Sequence, residues 1–101
     1  MSDAELAVEI RAAAEQVGAE CAIAEKAGVP VDLAVTAADD LSSAHAVHVA
    51  APADNAPSGT IRAAVDRLNA DLAAAAERKI RVRLTTPNNC MVVVQEMWRA
   101  A

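Results

Sequence analysis

The chain has few residues whose side chains could carry out chemistry, and they are widely spaced. Its only histidines are His45 and His48, and its only cysteines are Cys21 and Cys90. On a helix the two histidines could face one ion, whereas on a strand they would point to opposite faces. No cysteine or acid stands near them at the spacing of a metal site. We therefore predict no metal, no cofactor and no small-molecule substrate.

Nucleophilic catalysis would have to use Cys90. Its thiol would need a lowered pKa, which only the arginines across a predicted hairpin could provide, and His45 or His48 would have to act as the base. An enzyme built on these three residues is the third of three functional hypotheses, and we predict no catalytic residue. Asp39 and Asp40 fit no calcium-loop pattern and are expected to cap a helix and to be solvated.

The two cysteines are too few for a disulfide framework. We expect Cys21 and Cys90 to be reduced, mostly buried thiols of a cytoplasmic protein, because disulfides are rare in that compartment. A bond between them, or one to another chain, is the alternative. The sequence has no apolar run long enough to span a membrane, and its acidic start is unlike a secretory signal.

The densest basic cluster comprises Arg78, Lys79, Arg81 and Arg83. Arg81 and Arg83 are two residues apart, so a strand would place both guanidinium groups on one face. Guanidinium groups match carboxylates and phosphates, which gives the second hypothesis: an adaptor or regulator that docks an acidic partner or a nucleic-acid backbone. The simpler interpretation is a solvated face, paired with Asp32 on a neighbouring strand. A net charge of −5 makes nucleic acid an unlikely partner.

Apolar residues near the end of the chain suggest a contact surface. The stretch 91–94 is apolar on both strand faces, so it is either covered on both sides or meets another subunit. Trp98, the single aromatic residue, is expected to close the core or to anchor an interface. We predict that the partner-binding residues are Arg81, Arg83, Met91, Val93 and Trp98.

Hydrophobic periodicity predicts the elements that position these residues. Apolar residues at helical spacing predict helices over 3–27 and 60–79, and alternation predicts a strand over 31–36. A hairpin is predicted from strands 80–85 and 90–98, joined by a turn at 86–89 that contains Pro and Asn. Residues 36–43 could form a short helix. Residues 44–51 fit a helix or a strand, and we favour a strand.

Residues 10–20 and 61–71 resemble each other, acid for acid and aliphatic for aliphatic. This repeat predicts one domain, 1–101, of two related halves, 1–51 and 60–101, joined by a connector at 52–59. The predicted fold class is α+β, in the order α-β-β-α-β-β. Its two helices would pack on one face of a small antiparallel sheet of four strands. A true duplication should bring Asp32 close to Arg81 or Arg83.

Composition and charge point to assembly. With one Trp and no Phe or Tyr, the core must consist of smaller aliphatic side chains, and an oligomer would bury the surface that the monomer lacks. Residues 1–57 contain ten acids and two bases, whereas residues 58–101 contain four acids and seven bases. This asymmetry suits pairing of the halves or head-to-tail contact between subunits.

The leading hypothesis is therefore a non-catalytic assembly or interaction protein. It would act as a homo-oligomer or as a subunit of a larger complex, with a virion component as one example. The expected partners are copies of itself or another protein subunit, with no membrane involved. The expected location is the cytoplasm, or a particle made there, and the Ala-rich, Lys-poor composition suits a bacterial or phage origin.

Overall fold

The computed structural model describes residues 2–36, 46–52, 56–88 and 90–99. It contains two helices and four strands in the predicted order: α1 (Asp3–Lys26), β1 (Asp32–Thr36), β2 (Ala46–Ala50), α2 (Ala56–Glu77), β3 (Ile80–Thr85) and β4 (Val93–Arg99). The α+β class is confirmed. The strand favoured over residues 44–51 is also present, as β2. The short helix predicted over 36–43, together with Asp39, Asp40 and His45, lies mostly or wholly outside the described residues.

The first helix follows directly from its sequence. The Ser2 side chain accepts a hydrogen bond from the backbone N–H of Glu5, and the Glu5 carboxylate accepts one from the N–H of Ser2. This capping box satisfies donors that the first helical turn leaves free. Gly28, with a φ of 78°, lies just beyond the helix end. The predicted apolar stripe is buried throughout, at Leu6, Ile10, Ala13, Val17, Cys21 and Ala24.

The second helix begins earlier than the sequence predicts, at Ala56 rather than Thr60. The connector predicted over 52–59 is therefore too long. Pro57 is compatible with the first turn, because the N–H that proline lacks would have no acceptor within the helix there. The Thr60 hydroxyl donates to the Ala56 carbonyl at 3.1 Å, which closes the same turn. The inner face is buried as predicted, at Ile61, Val65, Leu68, Leu72 and Ala75.

The four strands form two separate antiparallel hairpins, β1–β2 and β3–β4, so the prediction of one four-stranded sheet is wrong. The cause lies at the outer edge of β2. The Asn69 side chain of α2 accepts from the N–H of Val47 and donates to its carbonyl, both at 2.9 Å. Those backbone groups face away from β1 and would otherwise pair with a third strand. Arg62 also donates to the Ala51 carbonyl at 2.6 Å.

The predicted approach of Asp32 to Arg81 or Arg83 is also wrong. Asp32 lies on β1 and the two arginines lie on β3, which belong to different sheets. Arg83 instead pairs with Glu96 of β4, with Nη1 and Oε1 3.2 Å apart. The internal duplication is therefore not confirmed, although the order of elements matches it.

Some of the opposite charges of the two halves pair within the chain. Ion pairs join Asp3 to both Arg78 and Arg99, and Glu9 to Arg67. Each joins an acid of α1 to a base of the second half. Asp3 begins α1 and pairs with Arg78, just after the end of α2, whereas Glu9 pairs with Arg67 inside α2, so the two helices run antiparallel.

Among the described residues, neither helix is both long and apolar enough to cross a membrane.

The cysteines are joined to each other, so the prediction of two reduced thiols is wrong. Cys21 of α1 and Cys90, in the segment before β4, form a disulfide with a Cα separation of 5.4 Å. Cys21 is fully buried. Gly18 lies one turn earlier, and a Cβ there would stand 3.9 Å from the Cys90 carbonyl oxygen, so the helix and this segment approach closely. The bond thus fixes the start of β4 against α1.

Candidate functional site

The hairpin of β3 and β4 has one face against the core and one face toward solvent. Ile80, Val82 and Leu84 of β3 are buried on the inner side. The residues of β3 that alternate with these three project from the other side of the hairpin. The residues of β4 that lie opposite them project from that side too. We name this side the outer face of β3–β4; it consists of Arg81, Arg83, Thr85, Val93, Glu96 and Trp98.

A β-bulge at Gln95 is what brings Val93 onto this face. The register shifts between Arg83 and Leu84, so that Arg83 lies opposite Glu96 while Leu84 lies opposite Val94. Without the extra residue, Val93 and Trp98 would project from opposite sides of β4. The sequence contains a signal that we did not use: two consecutive polar residues, Gln95 and Glu96, interrupt the alternation between Val94 and Met97.

Trp98 is the largest apolar side chain of the outer face of β3–β4. It is 39% exposed, and the guanidinium carbon of Arg83 lies 5.5 Å from the centre of its ring. That distance is within the range of a cation–π contact. Arg83 also pairs with Glu96, whereas the Nε of Arg81, opposite Trp98, is buried without a hydrogen-bond partner among the described residues. Four of the five predicted partner-binding residues therefore share one exposed face.

Met91, the fifth predicted residue, lies apart from that face. It lines a groove of about 400 Å³ between α1 and the segment 91–94, which Arg11, Glu15 and Gly18 border on the helix side. Met91 is 44% and Val93 37% exposed, whereas Val92 is buried. The segment is therefore covered on one side only, and its other side is exposed to solvent.

The residues considered for catalysis are placed less favourably. Cys90 is bonded to Cys21 and so has no free thiol in this form of the protein. His48 is exposed on β2, opposite Ala34. Among the described residues there is no group of three or more histidines, cysteines and acids that could hold a metal ion.

Two acids at the helix interface have pKa values displaced in opposite directions. Hydrogen bonding from Arg99 lowers the pKa of Asp3, and Arg78 adds to this effect against the opposing effect of burial. Burial raises the pKa of Asp71, as does the charge of Glu9, with Arg67 opposing them. The ionised carboxylate of Asp3 therefore anchors the end of β4 to α1. The fold instead disfavours the ionised form of Asp71.

We expect the pH dependence of stability to separate these two acids. Asp3→Asn should lower the free energy of unfolding at pH 7, and the difference from wild type should shrink as pH falls below the ordinary Asp pKa of 3.8. Asp71→Asn should raise stability at pH 7, because it removes a charge that the fold disfavours, and its advantage should also vanish in acid. Urea unfolding at several pH values measures both effects. Equal and parallel pH profiles for the two variants would contradict this assignment.

The outer face of β3–β4 brings a tryptophan and two arginines together. Tryptophan and arginine are enriched among the residues that contribute most to protein interfaces. Compared with protein-family models, with curated proteins and with solved structures, the chain shows no significant match.

Proposed function

We propose that the protein is a non-catalytic assembly protein, which acts as a homo-oligomer or as one subunit of a larger complex. The observation that carries the proposal is the outer face of β3–β4, where the exposed side chains of Trp98, Val93 and Arg83 lie beside the partly buried Arg81. An exposed tryptophan with an arginine across it is typical of an interface anchor. The groove beside Met91 supplies a second apolar surface next to this face.

The core of the protein supports the same proposal. The buried residues are mostly alanine, valine, leucine and isoleucine, whereas the only aromatic residue is on the surface. Trp98 leaves 39% of its surface exposed in the monomer. In an assembly, the exposed part of Trp98 would be buried at a contact.

The charges favour another copy of the chain as the occupant of this face. Arg81 lies on the outer face of β3–β4, while Glu25 and Asp32 are exposed in the acidic first half. Head-to-tail contact would bring these opposite charges together. A particle made of repeated copies in the cytoplasm, such as a virion of a bacterial phage, is the kind of assembly that we envisage.

Light scattering after size-exclusion chromatography tests the proposal. Wild-type protein at tens of micromolar is expected to be oligomeric. Trp98→Ala should raise the dissociation constant at least about 30-fold, the effect of losing a residue worth about 2 kcal/mol at an interface. Asp66→Ala, which changes an exposed acid of α2, is the control and should leave the assembly unchanged. A monomeric wild-type protein would contradict the proposal.

A second function is favoured by one specific observation, the placement of Arg81 and Arg83 on the same side of β3. An adaptor could use Arg81 and Arg83 to dock a carboxylate-rich partner or a nucleic-acid backbone. Such binding would weaken steeply as salt increases. Self-association that is lost in Trp98→Ala would favour the first function, whatever its dependence on salt. The pairing of Arg83 with Glu96 makes the adaptor the weaker proposal.

A further inference from the structure

Helix α1 has a second apolar stripe on the side opposite its core stripe. Val8 is 67% and Ile23 56% exposed, the two highest values among the exposed large hydrophobic side chains that the structure describes. A helix on a protein surface normally presents polar residues on its outer side, so the monomer gives this stripe no role. We name it the outer stripe of α1; its exposed apolar members are Ala4, Val8, Ala12, Ala19, Ala22 and Ile23.

The outer stripe of α1 is complementary to itself in the antiparallel direction. Val8 and Ile23 are equally distant from the midpoint between Glu15 and Gln16, and so are Ala12 and Ala19. In an antiparallel pair of α1 helices about that midpoint, Val8 of each copy therefore lies level with Ile23 of the other. Ala12 then lies level with Ala19. These small central residues allow the helix axes to approach to about 8 Å.

The charges select the same arrangement. The antiparallel alignment sets Glu5 level with Lys26 at both ends of the stripe, which gives two pairs of opposite charge. A parallel alignment would instead set Glu5 against Glu5 and Lys26 against Lys26. Both side chains are exposed, and Lys26 is in no ion pair among the described residues. Glu15 of each copy lies beside the axis, which sets these two acids near each other, and Arg11, one turn earlier on the same side of the helix, is the base nearest to them in the sequence.

We propose that two copies of the protein associate through the outer stripe of α1, as an antiparallel pair in which Val8 packs against Ile23. This inference rests on the proposed function, because it names a second copy as the partner. It concerns a different surface, because the outer stripe of α1 and the outer face of β3–β4 have no residue in common. The two contacts together would let a two-fold pair extend into a larger assembly.

Crosslinking between single-cysteine variants tests the direction of the pair. The variants Val8→Cys and Ile23→Cys change exposed positions, and a short bismaleimide leaves the Cys21–Cys90 disulfide unreacted. A mixture of the two variants should crosslink readily. Each variant alone should not, because two Val8 positions in the pair are about 22 Å apart along the helix. A variant with the exposed Ala63→Cys on α2 gives the background rate.

A variant that breaks the contact completes the test. Val8→Glu should raise the dissociation constant of the pair roughly 100-fold, since symmetry buries the new charge twice. Circular dichroism should show an unchanged fold. Crosslinking of the mixture no faster than background, or dimers that persist when Val8→Glu is combined with Trp98→Ala, would overturn this inference. If Trp98→Ala leaves both the α1 pair and the larger species unchanged, the proposed role of the outer face of β3–β4 in assembly is contradicted, and the α1 pair is not.

Discussion

Reduction of the Cys21–Cys90 disulfide is expected to lower the free energy of unfolding by about 4 kcal/mol. The two cysteines are 69 residues apart in the sequence, so the bond closes most of the chain into one loop. A bond across a loop of this length restricts the unfolded chain strongly. Domains of this size are usually stable by only about 5 to 15 kcal/mol, so the loss is a large share of the total. Urea unfolding with and without a phosphine reductant measures the effect.

The double variant Cys21→Ala/Cys90→Ala is the matched control for reduction. It should unfold at the same urea concentration with and without reductant, and close to the reduced wild-type protein. Alanine suits position 21 because the side chain there is fully buried and a polar replacement would lack a partner. A wild-type protein whose unfolding midpoint does not respond to the reductant would contradict the prediction.

The bond also matters for the candidate site. Cys90 immediately precedes Met91, which lines the groove beside α1, and β4 begins at Val93. Reduction should therefore loosen the segment before β4 first, because this segment has no other covalent tie to α1. The pairing of β3 with β4 beyond Val93 does not depend on the bond. The outer face of β3–β4 should thus survive conditions that disturb the groove.

The helices could be predicted from the sequence because their signals are local. Buried residues such as Ile10 and Leu68 recur at helical spacing, and that spacing is set by the helix itself rather than by distant contacts. The same holds for Arg81 and Arg83, whose separation by two residues places them on one side of any strand. These local rules also gave the correct order of the six elements.

The arrangement of the strands could not be predicted in this way, because it depends on contacts between residues far apart in the sequence. Asn69 looks like an ordinary polar residue of a helix, and only its position beside Val47 shows that it ends the sheet. The pairing of Cys21 with Cys90 likewise needs the fold to bring the two together. At the candidate site, the bulge at Gln95 decides which apolar residues accompany Trp98.

Replacement of Asn69 by alanine is expected to lower the free energy of unfolding by about 2 kcal/mol. The substitution removes two hydrogen bonds and leaves both the N–H and the carbonyl of Val47 without their partner. Val47 is 1% exposed, so water replaces that partner poorly. Gln16→Ala removes an exposed amide of α1 that bonds only to Glu20 among the described residues, and it should change stability by less than about 0.5 kcal/mol.

Asn69→Asp separates the two hydrogen bonds that the amide makes. A carboxylate still accepts from the N–H of Val47, but it repels the Val47 carbonyl, to which the amide donated. Burial and this repulsion should raise the pKa of the new carboxyl. The variant should therefore be destabilised at pH 7 and should recover part of the lost stability in acid, where the protonated carboxyl can donate.

Both variants leave at least one backbone group at the edge of β2 free to pair with another chain. An increase in concentration-dependent aggregation should therefore accompany the loss of stability. Wild-type stability in Asn69→Ala would show that the edge of β2 is closed by some other contact.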